Sequence, residues 1–177
     1  SSGGGFSLMV EALGLAGIME TPLVVVDSQR PGPATGLPTR TEQSDLSFLL
    51  TASHGEFPRV VMSVRNAEDA FYQTFRALNL ADKFQTVVLI LTDQYLADAK
   101  VTVSKFKLND LKAERYISDG SVLVEGEEYK RYKVTDNGIA PRLIPGKVPG
   151  QVVLVDSDEH DEYSHITESA EVRRAQM

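Results

Sequence analysis

Residues Thr21 to Leu46 read TPLVVVDSQRPGPATGLPTRTEQSDL. The β-branched run Leu23 to Asp27 has the composition of a buried strand. The next segment, SQRPGPATGLPTRTEQ from Ser28 to Gln43, can continue neither as strand nor as helix, because three prolines and two glycines interrupt it. Two arginines, three threonines and a serine make that loop an anion-binding surface on a backbone with few free torsions. A polar loop directly after a buried strand is where α/β proteins place their chemistry.

The flanking sequence repeats the alternation of strand and helix. Phe6, Met9, Val10, Leu13 and Gly17 fall at helical spacing, which predicts a helix over about 6–18 that opens from the glycine turn SSGGG. Thr41 to Ser44, with Glu42 and Asp45 in the first turn, suits the N-terminus of a helix opening near Thr41. Arg59 to Val64 is a second strand, and Asn66 caps a helix with Glu68 and Asp69 in its first turn. Phe71, Phe75 and Leu78 form one large apolar face of that helix, expected in the core, and Ala70, Ala77 and Ala81 form a small-residue face. Thr86 to Leu91 is apolar enough for a central parallel strand.

The predicted fold class is therefore α/β: a doubly wound, mostly parallel sheet with helices on both faces, over residues 1–98. A glycine turn opening a helix ordinarily follows a strand, so the first strand-helix unit is expected to be missing. Residues 99–177 read as a C-terminal extended arm or connector. In it, Tyr116 to Val124 and Tyr129 to Val134 alternate like short antiparallel strands. Asp119-Gly120 and Asp136-Asn137-Gly138 signal turns, Val152 to Val155 is a further apolar run, and a helix is expected from Thr167.

Composition narrows the function. With 177 residues and 42% hydrophobic content the chain can build a real core. Its net charge of −7, with no basic cluster, argues against nucleic acid. No cysteine is present, which excludes disulfides, thiolate nucleophiles, zinc-thiolate sites and any iron-sulfur cluster held by these residues. No apolar run is long enough for a membrane helix and the N-terminal residues do not form a signal peptide, so the expected location is the cytoplasm.

Taken together, SSGGGFSLMVEALGLAG, the Thr21–Leu46 block, HGEFPR, LTDQYLAD and the late DSDEHDEYSHITE resemble the α subunit of 2-oxoacid:ferredoxin oxidoreductases, nearest to the 2-oxoglutarate branch. The resemblance implies a pyrimidine-binding domain of a thiamine-diphosphate enzyme, active in oxidative decarboxylation of a 2-oxoacid with coenzyme A and ferredoxin. It also implies a hetero-oligomer, in which a β subunit holds the diphosphate and its magnesium and the iron-sulfur cluster lies in another subunit. Arg30 matches the family arginine that pairs with the substrate carboxylate, a task suited to a guanidinium fork, and Thr39 matches a threonine beside the same substrate. Arg40 either meets a second carboxylate on a longer substrate or caps the loop, and the structural alternative is favoured. Ser2, Gly3, Gly4 and Gly5 match the turn where backbone approaches the cofactor or the partner subunit. The family's Tyr-Pro-Ile-Thr-Pro segment and its activating glutamate have no match here, so these residues alone are expected to be inactive, with that glutamate placed upstream of Ser1.

Other candidates stay open at this point. His54 could move protons, although a loop histidine bonded to nearby backbone is the favoured reading. Asp93 and Gln94 sit at a strand end, fit for a ligand or for helix capping. Asp156, Asp158, Glu159, His160, Asp161, Glu162 and His165 fit no established metal loop, which favours an acidic surface or a subunit contact. Two readings of other classes compete with the enzyme subunit: a noncatalytic docking module, and a nucleotide-binding α/β domain using the glycine turn. The second lacks the GxGxxG spacing and the lysine expected of such sites.

Overall fold

The apolar run expected at the centre of the sheet is its central strand. In the computed structural model, which describes residues 1–123 and 126–177, β1 (Leu23–Gln29), β2 (Arg59–Ser63) and β3 (Val87–Asp93) form one sheet in the order β1-β3-β2. Both pairings are parallel, with Leu23 and Arg59 each opposite Val87. β3 has neighbours on both edges and helices on both faces, so Val87, Val88, Leu89 and Ile90 are all buried. A sequence continuously apolar over this stretch is what such a position demands.

Alternation along the strands divides the core in two. Val87, Leu89 and Leu91 face α1 (Gly3–Ser7), α2 (Val10–Ile18) and α3 (Leu46–Thr51), packing with Phe6, Leu13, Ala16 and Leu49. Val88 and Ile90 face α4 (Ala67–Phe84) through Ala77 and Ala81. Helices thus cover both faces, as predicted. The connection from β1 to β2 passes β3, and that from β2 to β3 returns. Crossovers of one hand that run in opposite directions place their helices on opposite faces.

Several local expectations are corrected. The helix predicted from Phe6 begins at Gly3 and breaks after Ser7, with Leu8 and Met9 forming a turn onto Gly5 and Phe6 carbonyls. The break lets Phe6 and Leu13 share one core while Leu8 stays 89% exposed. The helix expected near Thr41 starts only at Leu46, after Asp45. On α4 it is the small-residue face that meets the sheet, because alanines allow close approach. Phe71, Phe75 and Leu78 are not core: Leu78 is 53% exposed, and Phe71 instead stacks on Phe106 with ring centroids 4.0 Å apart.

Residues 1–114 form one compact unit and residues 115–177 another. The segment 99–114 goes with the first because Phe106 stacks on α4, and Asn79 bonds both the Lys112 carbonyl and the Glu114 N–H. That segment leaves α5 (Gln94–Asp98) and contains a 3-10 turn at Leu108–Asp110. In the second unit the expected strands are absent among the described residues, and Val124 lies outside them. Only isolated bridges, Ile117 to Arg142 and His160 to Ile166, take their place. Val152 to Val155 is irregular and largely exposed. The helix expected from Thr167 is α6 (Ala170–Gln176), capped by Ser169. Aromatic and side-chain contacts hold this unit: Tyr129 donates to the Pro141 carbonyl, and Tyr132 lies against the His160 ring.

Candidate functional site

Because all three strands run parallel, the segments leaving their carboxyl ends share one rim of the sheet. Gln29 stands opposite Asp93, so the loop after β1 and the start of α5 emerge side by side. Gln43, at the far end of the loop, donates to Asp93 Oδ2 at 2.6 Å, and the other Asp93 oxygen accepts the Leu96 N–H. Gln29, buried, donates through Nε2 to the Thr92 carbonyl and accepts the Asp45 N–H at Oε1. The glycine turn completes the rim. Ser1 donates to the Val26 carbonyl and accepts from Ser28 N–H, the hydrogen-bond pattern of a parallel bridge on the outer edge of β1.

The loop closes on itself through one glycine. Leu37 N–H bonds the Pro31 carbonyl, and Gly36 has φ +52° with no space for a Cβ beside that oxygen, a position no other residue can occupy without moving the turn. The glycine turn has different reasons at each position. A Cβ on Gly3 would meet Asp45 Oδ2 at 2.7 Å, and one on Gly5 would meet Ser1 Oγ, so packing inside the chain accounts for both. Gly4 is exposed, with only the Ala34 carbonyl nearby at 3.4 Å. It is the glycine whose backbone stands open at the rim, next to Ser2.

Arg30 leaves β1 half-buried, and among the described residues its guanidinium makes no hydrogen bond or ion pair. Thr39 and Arg40 lie farther out on the exposed part of the loop. Arg40 holds the turn only by its main chain, donating N–H to the Leu37 carbonyl. Its side chain takes no part in capping among the described residues.

Sequence reasoning passed over the three groups that tie the loop down: Asp27, Gln29 and Asp45. The signal was present in the strand's alternation. Leu23 and Val25 point into the core with Phe6 and Leu89, and the same register continues to Asp27 and Gln29, two polar residues at core-facing positions. Asp27 is fully buried. Burial raises its carboxyl pKa to about 7, the Asp45 carboxyl adds to the rise, and the Ser1 ammonium opposes it.

Other candidates fall away from the rim. His54 is exposed in the connection that enters β2, at the amino end of the strands. The late acidic cluster is spent within its own unit. Asp156 accepts the Asp158 N–H, Asp161 the N–H groups of Tyr163 and His165, and Glu162 the Val134 N–H and the Lys130 ammonium. Glu159 pairs with Arg173, and His160, buried, turns Nδ1 to the Asp158 carbonyl. Among the described residues no cluster of His, Asp or Glu could hold a metal ion, and no helix is long and apolar enough to cross a membrane.

Residues 1–177 match the family described as pyruvate flavodoxin/ferredoxin oxidoreductase, thiamine diP-bdg. The chain belongs to this family. It is 46% identical over 180 residues to the α subunit of 2-oxoacid:ferredoxin oxidoreductase 1 from Sulfurisphaera tokodaii, which covers 100% of the chain and 27% of that subunit. It is 35% identical over 141 residues to 2-oxoglutarate synthase subunit KorA from Archaeoglobus fulgidus, over 78% of the chain and 40% of the relative. Among solved structures, 2-oxoglutarate:ferredoxin oxidoreductase from Magnetococcus marinus, with 2-oxoglutarate, coenzyme A and succinyl-CoA bound, is similar with a TM-score of 0.89 and 40% identity. That likeness covers 98% of this chain and 29% of the other. The chain thus spans between a quarter and two-fifths of the length of these relatives. The resemblance read from the motifs and the parallel α/β fold both agree with family membership.

Proposed function

We propose that this chain is part of the α subunit of a thiamine-diphosphate-dependent 2-oxoacid:ferredoxin oxidoreductase, with 2-oxoglutarate as the 2-oxoacid. The overall reaction converts 2-oxoacid, coenzyme A and oxidised ferredoxin to acyl-CoA, carbon dioxide and reduced ferredoxin, in the cytoplasm. The observation that carries the reading is Arg30: a half-buried guanidinium, uncommitted to any described residue, at the base of a tied-down loop on the sheet's carboxyl rim. A cation held so, with its fork free, is ready for a carboxylate. Thr39 supplies a hydroxyl to the same substrate, and Arg40, exposed with a free side chain, is the candidate for a second carboxylate.

The rim also suits the cofactor's uncharged end. Exposed Gly4 presents backbone without a side chain, which accommodates a flat ring, with Ser2 beside it. The magnesium and diphosphate are assigned to a β subunit. When bound, thiamine diphosphate supplies the electron sink for decarboxylation. These residues hold no cysteine to ligate an iron-sulfur cluster, and the cluster of the assembly is assigned to another subunit.

The test is Arg30→Ala in the complete assembly. Charge-assisted bonds contribute about 1.5–3 kcal/mol, so kcat/KM for the 2-oxoacid should fall roughly 10- to 150-fold. Unchanged KM and kcat would refute the anchor role. The exposed Leu8, Leu46 and Leu50 favour a second reading, a docking module that only completes a partner's site. Calorimetry separates the readings: the first expects thiamine diphosphate to bind once the β subunit is added, the second expects β-subunit binding with no cofactor contribution. Binding of ATP by the chain alone would instead support a nucleotide domain.

A further inference from the structure

The loop between β1 and α3 is bracketed by two carboxyl groups, Asp27 near the end of the strand and Asp45 immediately before the helix. Asp27 is a core-facing residue, two residues before Gln29, and the Asp45 main chain bonds Gln29. Both Asp27 oxygens and Asp45 Oδ2 are buried, and none accepts a hydrogen bond from an N–H or hydroxyl among the described residues. Gln29, on the same face of β1 as Asp27, accepts the Asp45 N–H, which brings the Asp45 carboxyl beside that of Asp27; after burial itself, Asp45 is what raises the Asp27 pKa. Two ionised carboxylates so buried and so close repel each other, so the arrangement favours a proton on one of them. The surrounding packing fits the arrangement: Gly3 leaves the space that Asp45 Oδ2 occupies, and Gln29 holds the Asp45 main chain from below.

We propose that Asp27 and Asp45 share a single proton and form a positioning pair that clamps both ends of the substrate loop, setting where Arg30 presents its guanidinium. The inference rests on the reading of Arg30 as carboxylate anchor. The pair joins the loop's first and last anchor points across the fold, and Gln29, the residue next to Arg30, is bonded to one member. Loss of the shared proton turns the contact into repulsion between like charges in a buried place, and the clamp opens. Few other charges oppose this. α1 carries no titratable side chain, the nearby Asp93 is engaged with Gln43 and the Leu96 N–H, and the Ser1 ammonium favours ionisation. With the Ser1 nitrogen in a peptide bond the proton would be held more tightly still.

The pH dependence of KM for the 2-oxoacid in the complete assembly tests the clamp. KM should rise roughly tenfold from about pH 6 to about pH 8.5 as the shared proton is lost, with kcat changing less. Asp27→Asn replaces the proton by an amide donor and should flatten that rise, as should Asp45→Asn. Asp27→Ala should raise KM across the whole range. A KM rise that persists unchanged in both Asn variants overturns the proposal, as does an Asp27→Ala variant with the parent KM.

Thermal melting gives a readout independent of turnover. The folded pKa of Asp27 is raised, so its stabilising share is present at low pH and lost as pH rises towards and through about 7. The melting temperature of Asp27→Asn relative to the parent should therefore climb from about pH 4 to about pH 8. A constant difference overturns the shared proton. If Arg30→Ala leaves turnover intact, the substrate reading fails on its own, and the melts still test the pair: Asp45→Asn must weaken the pH dependence that Asp27→Asn removes, and an unaltered dependence in Asp45→Asn overturns the sharing.

Discussion

At the residue scale, the site is decided by what single side chains are free or forbidden to do. Arg30 is informative because its guanidinium has no described partner at a position where the chain is otherwise heavily tied. Gln29, one residue before it, spends both ends of its amide on backbone. Gly36 is informative for the opposite reason: its φ of +52° and its approach to the Pro31 carbonyl leave no room for a side chain. Gly36→Ala should strain the loop by about 1–3 kcal/mol and displace the segment carrying Thr39. The expected outcome is a raised KM for the 2-oxoacid in the assembly, with a lowered melting temperature for the chain. The residues that matter here were unevenly legible. Arg30 stands out in the letters, whereas Gly36 was only one of two loop glycines, and Asp27 and Asp45 come together only because the Asp45 N–H bonds Gln29 at the end of β1.

At the scale of elements, α4 shows how local signals and packing divide the work. Its start is written locally: Asn66 accepts the Asp69 N–H at 2.9 Å, and Arg65 pairs with the Asp69 carboxylate at 3.1 Å. Those bonds hold the Asp69 pKa down at about 2, the Arg65 side chain being the largest cause. A depressed carboxyl contributes stability above its unfolded pKa and loses it as pH falls towards the folded one. Asp69→Asn should therefore lower the melting temperature at neutral pH, with the deficit shrinking as pH approaches about 2. The face that α4 buries was not legible in the same way. Hydrophobicity pointed to Phe71, Phe75 and Leu78, but the sheet accepts the alanine face, because interhelix and helix-sheet distance is set by the smallest side chains at the contact. The aromatic face is partly covered instead by Phe106, remote in sequence. The second unit failed the strand reading for a related reason: short alternating runs need a partner of matching register, and Tyr129, Tyr132 and His160 replace ladders with ring and hydroxyl contacts.

At the scale of the whole molecule, parallel topology sorts the candidates by which end of the sheet they occupy. The Arg30 loop, the glycine turn and Asp93 lie at the carboxyl ends, whereas His54 enters β2 at the amino end. His54→Ala should accordingly leave kcat and KM of the assembly at parent values, in contrast to Arg30→Ala. A turnover loss would mean that the far end of the sheet also touches the chemistry. By itself the sequence determined the α/β alternation, the apolar central strand, the cap of α4 and the loop that carries Arg30. These depend on neighbours within a few residues, through backbone torsions, capping and strand periodicity. Only the tertiary structure decided which face of α4 is buried, why Gly3 and Gly5 are glycines, that His54 is remote, and that the Asp45 main chain bonds Gln29 beside the buried Asp27. Each of those turns on distances between segments far apart in the chain, where burial and the charge of an approaching neighbour set the energy.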